Sequence, residues 1–593
     1  MNPSDGALAL LIGRRTATLF DVREGCFTVK AGPVEHHGAV PRPEALGLTG
    51  GSPGWIVSAV GVPRVAVDGR SSLGAEAVRE TAAALARQGA EPAGPLPTEA
   101  VVLDLFTHEL SRQAPDALVL TQPIAGDKSR ALVGWLRRRA ASGRGGGRGF
   151  PVLYNGPPTY RHPELESAEG CLFRYIGSNP GAAGRRWDPE PTERALGDLV
   201  REHLGSVLEA AGYPGVPSTA AGAAAARAAE WLYASLEEYI DHHPGGTGRR
   251  KAPGGVRGAG GGAAVCVVMA ELDRAAVYTM PGPPPSGGPR TPAGTAQARP
   301  GVATVDFVGT GTVDLLADGR LRQGDTGREG WLPSWESLAR RIPFELHPSD
   351  LANLTGTALT RPGAVAGSVG EACLGGALTE ELVARVLSRW ETATGRRGED
   401  FGRLRLIAGT GFGLVRLGDA RLAAFHLLNA LQPGGVSLII ADADGSLLVR
   451  AAAPVEAFRR LPEPTFICVS PYRATHDWQR AGTDPWAIVT VEREDGRPLT
   501  RRLTPGTVTR VPLAAAGEWV TLTVEPCLRR LDFGAGPGRV WRGRVRGGEA
   551  GLILDGRGRP LTLPQEPRLR VTKQREFLAA LGILQREEGG SRP

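Results

Sequence analysis

Two stretches decide the expected fold: residues 7–22, ALALLIGRRTATLFDV, and residues 264–280, AVCVVMAELDRAAVYTM. Each has an apolar run of strand length, a short polar turn and a second apolar run, which is the pattern of a β-hairpin. Alternating strand-like and helix-like segments follow, among them a helix pattern at 379–394, a strand at 404–408 and a helix at 420–431. The sequence therefore predicts two α/β halves that each open with a hairpin.

Composition along the chain sets the expected domain boundaries. The 593 residues exceed one compact core, since domains average about 150 residues. The first half is expected at 1–242, and a Gly-rich linker at 243–262 joins it to a second half at 263–462, which contains a low-complexity loop at 281–300. From residue 463 to 593 short alternating segments and turn signals predict a C-terminal all-β domain closed by a helix.

The basic charge of the chain gives little functional information. The net charge is +7, and only four of the 69 basic residues are lysine. No basic run is interleaved with the aromatic residues on which single-stranded nucleic acid stacks. Nucleic-acid binding through arginine is therefore the less favoured interpretation.

Several classes of site and location are also disfavoured. The six cysteines are far apart and form no CxxC or Cys/His cluster, so neither a zinc site nor a disulfide framework is expected. No stretch approaches the ~18 apolar residues of a membrane helix. The N-terminus lacks the basic segment of a secretion signal. These features predict a cytoplasmic protein that does not bind membranes.

The best candidate for ligand binding is the run IAGTGFG at 407–413. It follows a strand and precedes a helix, and its glycines allow close approach of backbone N–H groups to a phosphate or base. Gly409, Thr410 and Gly411 are therefore candidate nucleotide-binding residues. A plain strand–helix turn also favours glycine, and that alternative stays open.

Five blocks give the chain a resemblance to a known family. They are PVLYNG at 151–156, the segment from Asn353 to Pro362, LIAGTGFG at 406–413, ALQPGGVSLIIAD at 430–442 and GAGPGRVWRGRVRGGEAGLILDGRGRPLTLP at 534–564. Together with the two hairpin-led halves, they resemble the MutL family associated with adenosylcobalamin-dependent glutamate mutase, which is unrelated to the mismatch-repair protein of that name. The resemblance implies a duplicated actin-like, ribonuclease H-like ATPase fold.

The resemblance also implies ATP and Mg²⁺ as ligands and a cobalamin-dependent mutase as partner. In the family, the hairpins read roughly Asp-x-Gly-Ser-Thr-x-Thr and Asp-x-Gly-Gly-Ala-Thr-Thr-Asp. Here Leu11 and Met269 stand at the acidic positions, and neither provides an oxygen ligand for Mg²⁺. Gly13 and Thr16 remain as candidate nucleotide-binding residues of the first hairpin.

The second hairpin carries acidic residues at shifted positions, Glu271 and Asp273. Two residues along a strand is a displacement of roughly 6.6 Å, so Glu271 is not expected to replace a ligand lost at Met269 unless the register shifts. We therefore expect a degenerate accessory or scaffold protein with no catalytic residue and no metal site. The alternatives are an active ATPase or reactivase that uses the shifted carboxylates, and an arginine-driven nucleic-acid binder.

Two further groups of residues have competing interpretations. Asp442 and Asp444 follow a strand and are more typical of an Asx turn than of a metal loop. The turn LDGRGRP explains Asp555 as a turn residue, but it explains Arg557 and Arg559 less well, and contact with a partner is an alternative for these two.

Overall fold

The computed structural model describes residues 7–14, 16–23, 26–35, 39–48, 52–68, 81–95, 103–124, 126–142, 149–156, 160–176, 190–241, 263–271, 274–281, 301–307, 330–331, 335–361, 364–394, 403–456, 459–478, 484–494 and 496–584. The predicted linker at 243–262 and residues 282–300 of the predicted loop lie outside these ranges. Within them the chain is a mixed α/β protein whose strands form four sheets.

The first sheet opens with an antiparallel meander and continues with parallel strands. Its order is β10-β4-β1-β2-β3; β1 is antiparallel to β2 and β2 to β3, whereas β4 is parallel to both β1 and β10. The strands are β1 (Ala7–Ile12), β2 (Thr16–Arg23), β3 (Cys26–Glu35), β4 (Trp55–Ser58) and β10 (Ser218–Ala220). The predicted first hairpin is confirmed.

A second sheet is inserted between β4 and β10. Its order is β6-β5-β7-β8-β9, and every neighbouring pair is parallel. The strands are β5 (Arg64–Asp68), β6 (Glu91–Pro95), β7 (Ala117–Leu120), β8 (Phe150–Tyr154) and β9 (Cys171–Tyr175).

The third sheet repeats the arrangement of the first and extends it. Its order is β15-β14-β13-β12-β16-β17-β18-β24-β21. The five strands β14-β13-β12-β16-β17 have the same order in the chain and the same relative directions as β3-β2-β1-β4-β10. These strands are β12 (Ala263–Ala270), β13 (Arg274–Pro281), β14 (Gly301–Phe307), β16 (Leu406–Thr410) and β17 (Gly435–Ala441), and β15 (Gly330–Trp331) pairs with β14.

The β-rich C-terminal region contributes to two sheets. Three of its strands, β18 (Phe466–Ser470), β21 (Val508–Val511) and β24 (Leu552–Asp555), extend the third sheet beyond β17. The other four pair with β11 (Ile240–Asp241) in an antiparallel sheet of order β11-β23-β22-β19-β20; they are β19 (Ala487–Glu492), β20 (Pro498–Leu503), β22 (Trp519–Pro526) and β23 (Trp541–Arg546).

The helices cover the faces of these sheets. Those before the second hairpin are α1 (Leu103–Gln113), α2 (Asp127–Ala141), α3 (Pro163–Glu166), α4 (Glu190–Ala210) and α5 (Ala221–Ala234). Those after it are α6 (Trp335–Ala339), α7 (Pro348–Thr360), α8 (Val369–Thr394), α9 (Phe412–Val415), α10 (Ala420–Leu431), α11 (Leu447–Ala451) and α12 (Pro567–Ala580). Residues 81–87 are also helical, and the bounds predicted for α10 are confirmed.

Two helices cross between the repeated units. Helix α5 follows β10 of the first unit and packs on β12 and β13 of the second. Helix α11 follows β17 of the second unit and packs on β1 and β4 of the first. The indole Nε1 of Trp55 in β4 donates a hydrogen bond to the backbone oxygen of Val449 in α11 at 3.1 Å. The two units therefore share one hydrophobic core.

Two predicted elements have different bounds. The sequence pattern of residues 219–239 predicts one long helix capped by Ser218 or Thr219, but the segment begins as β10 and continues as α5, because Ser218 and Thr219 pair with β4 in a parallel register. The predicted strand at 404–408 is β16, which runs on through Thr410. Gly409 and Thr410 thus lie in the strand, and the loop begins at Gly411.

Candidate functional site

The turns of the two opening hairpins are closed by equivalent hydrogen bonds. In the turn between β1 and β2, the backbone N–H of Gly13 donates to the carbonyl of Thr16 at 2.7 Å. In the turn between β12 and β13, the N–H of Glu271 donates to the carbonyl of Arg274 at 2.8 Å. Glu271 is therefore the counterpart in the second hairpin of Gly13 in the first.

The carboxylate of Glu271 lies against the first hairpin. A Cβ atom added to Gly13 would be 3.3 Å from each carboxylate oxygen of Glu271, and Glu271 is only 8% exposed. From the sequence, Glu271 is not expected to replace a ligand lost at Met269. In the structure, however, the carboxylate of Glu271 reaches the junction between the two turns. Asp273, the other candidate carboxylate, lies outside the described residues.

A small cavity adjoins this junction. It is lined by Arg14, Glu271 and Arg274, together with Ser58 and Tyr278, and its volume is about 20 Å³. Such a volume holds a water molecule, which needs roughly 10–15 Å³.

The glycine-rich run after β16 packs against the second hairpin. Gly411, the residue before α9, has a φ of +98°, and a Cβ atom there would lie 2.4 Å from the carbonyl oxygen of Ala270. A Cβ atom on Gly413 would lie 2.9 Å from the same oxygen and 3.0 Å from that of Glu271. These glycines therefore let the residues that follow β16 pack closely against the backbone at the end of β12. The packing supports the interpretation of the run as a strand–helix turn, which the sequence left open.

Thr410 is buried and hydrogen-bonded to an aspartate. Its Oγ1 donates to Oδ2 of Asp442 at 2.5 Å, and the same carboxylate oxygen accepts the N–H of Leu447 at the start of α11 at 2.9 Å. Burial raises the pKa of Asp442 well above its usual value, and the neighbouring charge of Asp444 raises it further. Asp442 therefore keeps its proton to a higher pH than an exposed aspartate does.

Asp444 adopts the predicted Asx-type turn, since its Oδ1 accepts the N–H of Ser446 at 2.9 Å. The turn also meets the first hairpin: a Cβ atom on Gly445 would be 3.8 Å from a methyl carbon of Leu11. The residue at the acidic position of the first hairpin pattern is thus an apolar side chain that packs against the core shared by the two units. Within the described ranges, no group of three or more His, Cys, Asp or Glu side chains is placed to hold a metal ion.

The turn after β24 is buried, so the hypothesis that its arginines contact a partner is wrong. Asp555, Arg557 and Arg559 are at most 5% exposed. Arg557 and Arg559 each donate to the Asp555 carboxylate at 2.8 Å. Burial alone would raise the pKa of Asp555, but the two guanidinium groups outweigh it and hold the pKa well below its usual range. Arg557 also reaches Asn429 Oδ1 on α10, at 2.8 Å.

Sequence reasoning missed how these residues meet. The sequence already placed Arg14 beside a possible anion and Arg274 in space that a phosphate needs, but it did not indicate that both line one cavity with Glu271. Asp442 was interpreted as a turn residue in preference to a metal ligand, and its hydrogen bond with Thr410 was not expected. The partners Thr410 and Asp442 are 32 positions apart on neighbouring strands, and no local pattern signals such a pair. The structure brings the two hairpin turns and the end of β16 together. Gly13 lies close to Glu271, and Gly411 lies close to Ala270, the residue before Glu271.

No helix among the described residues is long and apolar enough to cross a membrane. No family model matches the chain, and no curated protein matches it. Among solved structures, the nucleotide-free structure of acetone carboxylase, from a study of ATP-dependent acetone carboxylation, is similar at 9% sequence identity, with 95% of this chain and 89% of that chain covered. Its TM-score is 0.29, a value too low to establish a shared fold.

Proposed function

We propose that this chain is an actin-like protein with a degenerate cleft, which acts as an accessory or scaffold rather than as an ATPase. Support for the actin-like part comes from the repeated five-stranded arrangement, β3-β2-β1-β4-β10 and β14-β13-β12-β16-β17. The exchange of α5 and α11 between the units supports it further, because each helix follows the last strand of one unit and packs on the other.

The observation that carries the degenerate part is the contact between the two hairpin turns. In an ATPase of this kind, that space receives the phosphates and the hydrated metal. Here it holds the Glu271 side chain against Gly13, and Leu11, which packs against the shared core, stands where a carboxylate is required. A divalent cation needs oxygen ligands, which Leu11 and Met269 do not provide.

The decisive experiment is calorimetric titration of the full chain with ATP, with and without Mg²⁺, together with an assay of phosphate release. We expect no Mg²⁺-dependent binding and no turnover above background. Magnesium-dependent binding with turnover would refute the degenerate cleft. Binding of ATP that is indifferent to Mg²⁺ would preserve a nucleotide-sensing scaffold without hydrolysis.

The proposed partner is a cobalamin-dependent mutase, and this part rests on the resemblance of the blocks at 406–413, 430–442 and 534–564 to the MutL family. It is tested by mixing the purified chain with a glutamate mutase holoenzyme and measuring association by analytical ultracentrifugation. A complex that forms in the presence of adenosylcobalamin is the expected result. Absence of a complex, with and without the cofactor, would overturn this partner.

One observation favours an active ATPase as a second candidate. The carboxylate of Glu271 reaches the junction of the turns, where it could organise a metal-bound water if the two units separated. If turnover is found, Glu271→Ala should reduce it by at least about 100-fold, and Glu525→Ala, on an exposed strand position, should not. Unchanged turnover in Glu271→Ala combined with Asp273→Ala would eliminate this mechanism.

A further inference from the structure

The inserted parallel sheet has a feature that the hairpin cleft does not involve. Its strand order, β6-β5-β7-β8-β9, reverses direction between β5 and β7. Helices α1 and α2 pack on one face of the sheet, and residues 81–87 and α4 pack on the other. In open sheets wound in this way, ligands bind outside the carboxyl ends of the two strands at which the order reverses.

A buried ion pair lies at that point. Asp68 is the last residue of β5 and is 1% exposed, and the ammonium of Lys128, on the first turn of α2, lies 3.0 and 2.8 Å from its two carboxylate oxygens. Thr121, just after β7, donates its hydroxyl to the backbone oxygen of Asp68 at 2.8 Å. These three side chains bridge the carboxyl ends of β5 and β7.

Stability alone is a weak explanation for this pair. A buried ion pair is often no more stabilising than well-packed apolar residues of the same volume, and its neighbours here include the ring of Phe106, 4.4 Å from the Lys128 nitrogen. Arginine is also the usual cation for a buried pair. Of the 69 basic residues in this chain, four are lysines, at positions 30, 128, 251 and 573, and the other 65 are arginines. Of the described lysines, Lys30 is exposed and Lys573 is half-buried, so the buried one lies at the switch point.

A second polar side chain at the same edge has one ring nitrogen without a hydrogen bond. His162, after β8, is 4% exposed, and its Nε2 makes no hydrogen bond within the described part of the chain. Burial lowers the pKa of His162, while Glu166 and a hydrogen bond to the backbone of Ile124, which follows β7, act in the opposite direction. A buried, unpaired ring nitrogen is costly unless water or a ligand satisfies it.

We propose that this switch point is a binding site for a small phosphate monoester, separate from the hairpin cleft. Lys128 and the first N–H groups of α2 would hold the phosphate, because Gly126 precedes the helix and provides no side-chain cap, and a helix N-terminus favours an anion. Asp68 positions the ammonium. The Nε2 atom of His162 and the amide of Asn155, which is fully buried directly after β8, would contact the hydroxyl-bearing part of the ligand.

The site is tested by calorimetric titration of the full chain with two probes, inorganic phosphate and ribose 5-phosphate. The main variant is Asp68→Leu with Lys128→Met, which removes both charges together and so avoids leaving one charge buried alone. The control is Lys573→Met, which removes a lysine from α12. Wild type and control are expected to bind both probes, and the double variant is expected to bind at least about tenfold more weakly.

A second measurement uses the lysines as reporters in the wild-type chain. Bound ligand should slow acetylation of Lys128 by roughly tenfold relative to Lys30 and Lys573, as measured by peptide mass spectrometry. His162→Phe should weaken ribose 5-phosphate binding and leave inorganic phosphate binding unchanged. This result would separate recognition of the hydroxyls from recognition of the phosphate.

The proposal is overturned if the folded wild-type chain binds neither probe, or if the double variant keeps a native circular dichroism spectrum and binds both as wild type does. Should the double variant not fold, an unchanged ratio of Lys128 to Lys573 acetylation overturns it instead. None of these outcomes depends on ATP or Mg²⁺, so the proposed function stands or falls separately.

Discussion

At the scale of single residues, the glycines near the hairpin junction matter for packing. Gly411 combines a positive φ with a backbone carbonyl in the space that a side chain would occupy. Each feature alone excludes most residues, since φ of 98° with ψ of 160° is a backbone conformation that essentially only glycine adopts, at a cost of about 1–3 kcal/mol for other residues. The two features together fix glycine at this position whether or not a ligand binds there.

Gly411→Ala is therefore expected to destabilise the chain by about 3 kcal/mol or more, because it adds a clash with Ala270 to the conformational cost. The matched control is Gly47→Ala, since Gly47 has a φ of +69° and no atom within 4 Å of an added Cβ. The control should lose only about 1–2 kcal/mol. Urea unfolding followed by tryptophan fluorescence measures both, and equal losses would show that the contact with Ala270 can relax.

At the scale of elements, the turn between β17 and α11 shows what local sequence can and cannot predict. The Asx-type turn was predicted from Asp442, Asp444 and the glycine that follows, since turn chemistry is local. The bond from Thr410 to Asp442 was not predictable, because it joins neighbouring strands. The same contrast explains β10: Ser218 and Thr219 suggest a helix cap by themselves, but pairing with β4 holds them in a strand.

The raised pKa of Asp442 predicts a pH dependence of stability. In the unfolded chain the carboxyl has a pKa of about 3.9, so above that pH only the folded state keeps the proton. The stability that Asp442 contributes is then fully present below pH ~4 and is lost as the pH rises through the folded-state pKa. Asp442→Asn should remove this fall and keep both hydrogen-bond acceptor roles.

The measurement is the midpoint of urea unfolding of wild type and Asp442→Asn from pH 4 to pH 8. Their difference should grow with pH in favour of the variant. Asp116→Asn serves as the control, because Asp116 accepts a backbone N–H from Arg64 at 2.9 Å in the inserted sheet, away from this turn. Parallel curves for Asp442→Asn and wild type would mean that Asp442 is ionised in the folded protein.

At the scale of the whole molecule, the sequence predicted two hairpin-led α/β halves and a C-terminal all-β domain. The described residues contain both hairpins and a β-rich end, but three strands of that end belong to the third sheet. The sequence did not indicate which strands of these three regions pair with one another. Strand β11, which precedes the predicted linker, pairs with β23, and strands β18, β21 and β24 complete the third sheet. Pairings between residues hundreds of positions apart depend on the packed core, and the local periodicity that reveals a strand does not reveal its partner.

This interlocking predicts that the halves do not fold well apart. Helix α5 buries Ala224, Ala225, Ala228 and Ala229 completely in the core that it shares with the second unit, so a fragment of residues 1–242 would expose that face. We expect fragments 1–242 and 263–593 to be aggregation-prone when expressed separately, and to form a soluble 1:1 complex when co-expressed. Trp55→Phe, which removes the hydrogen bond to Val449, should weaken that complex by about 1 kcal/mol. Sedimentation and thermal unfolding test this prediction. If the fragment of residues 1–242 is monomeric and unfolds cooperatively by itself, the first unit needs no partner to fold. The shared core would then form by docking of two folded domains.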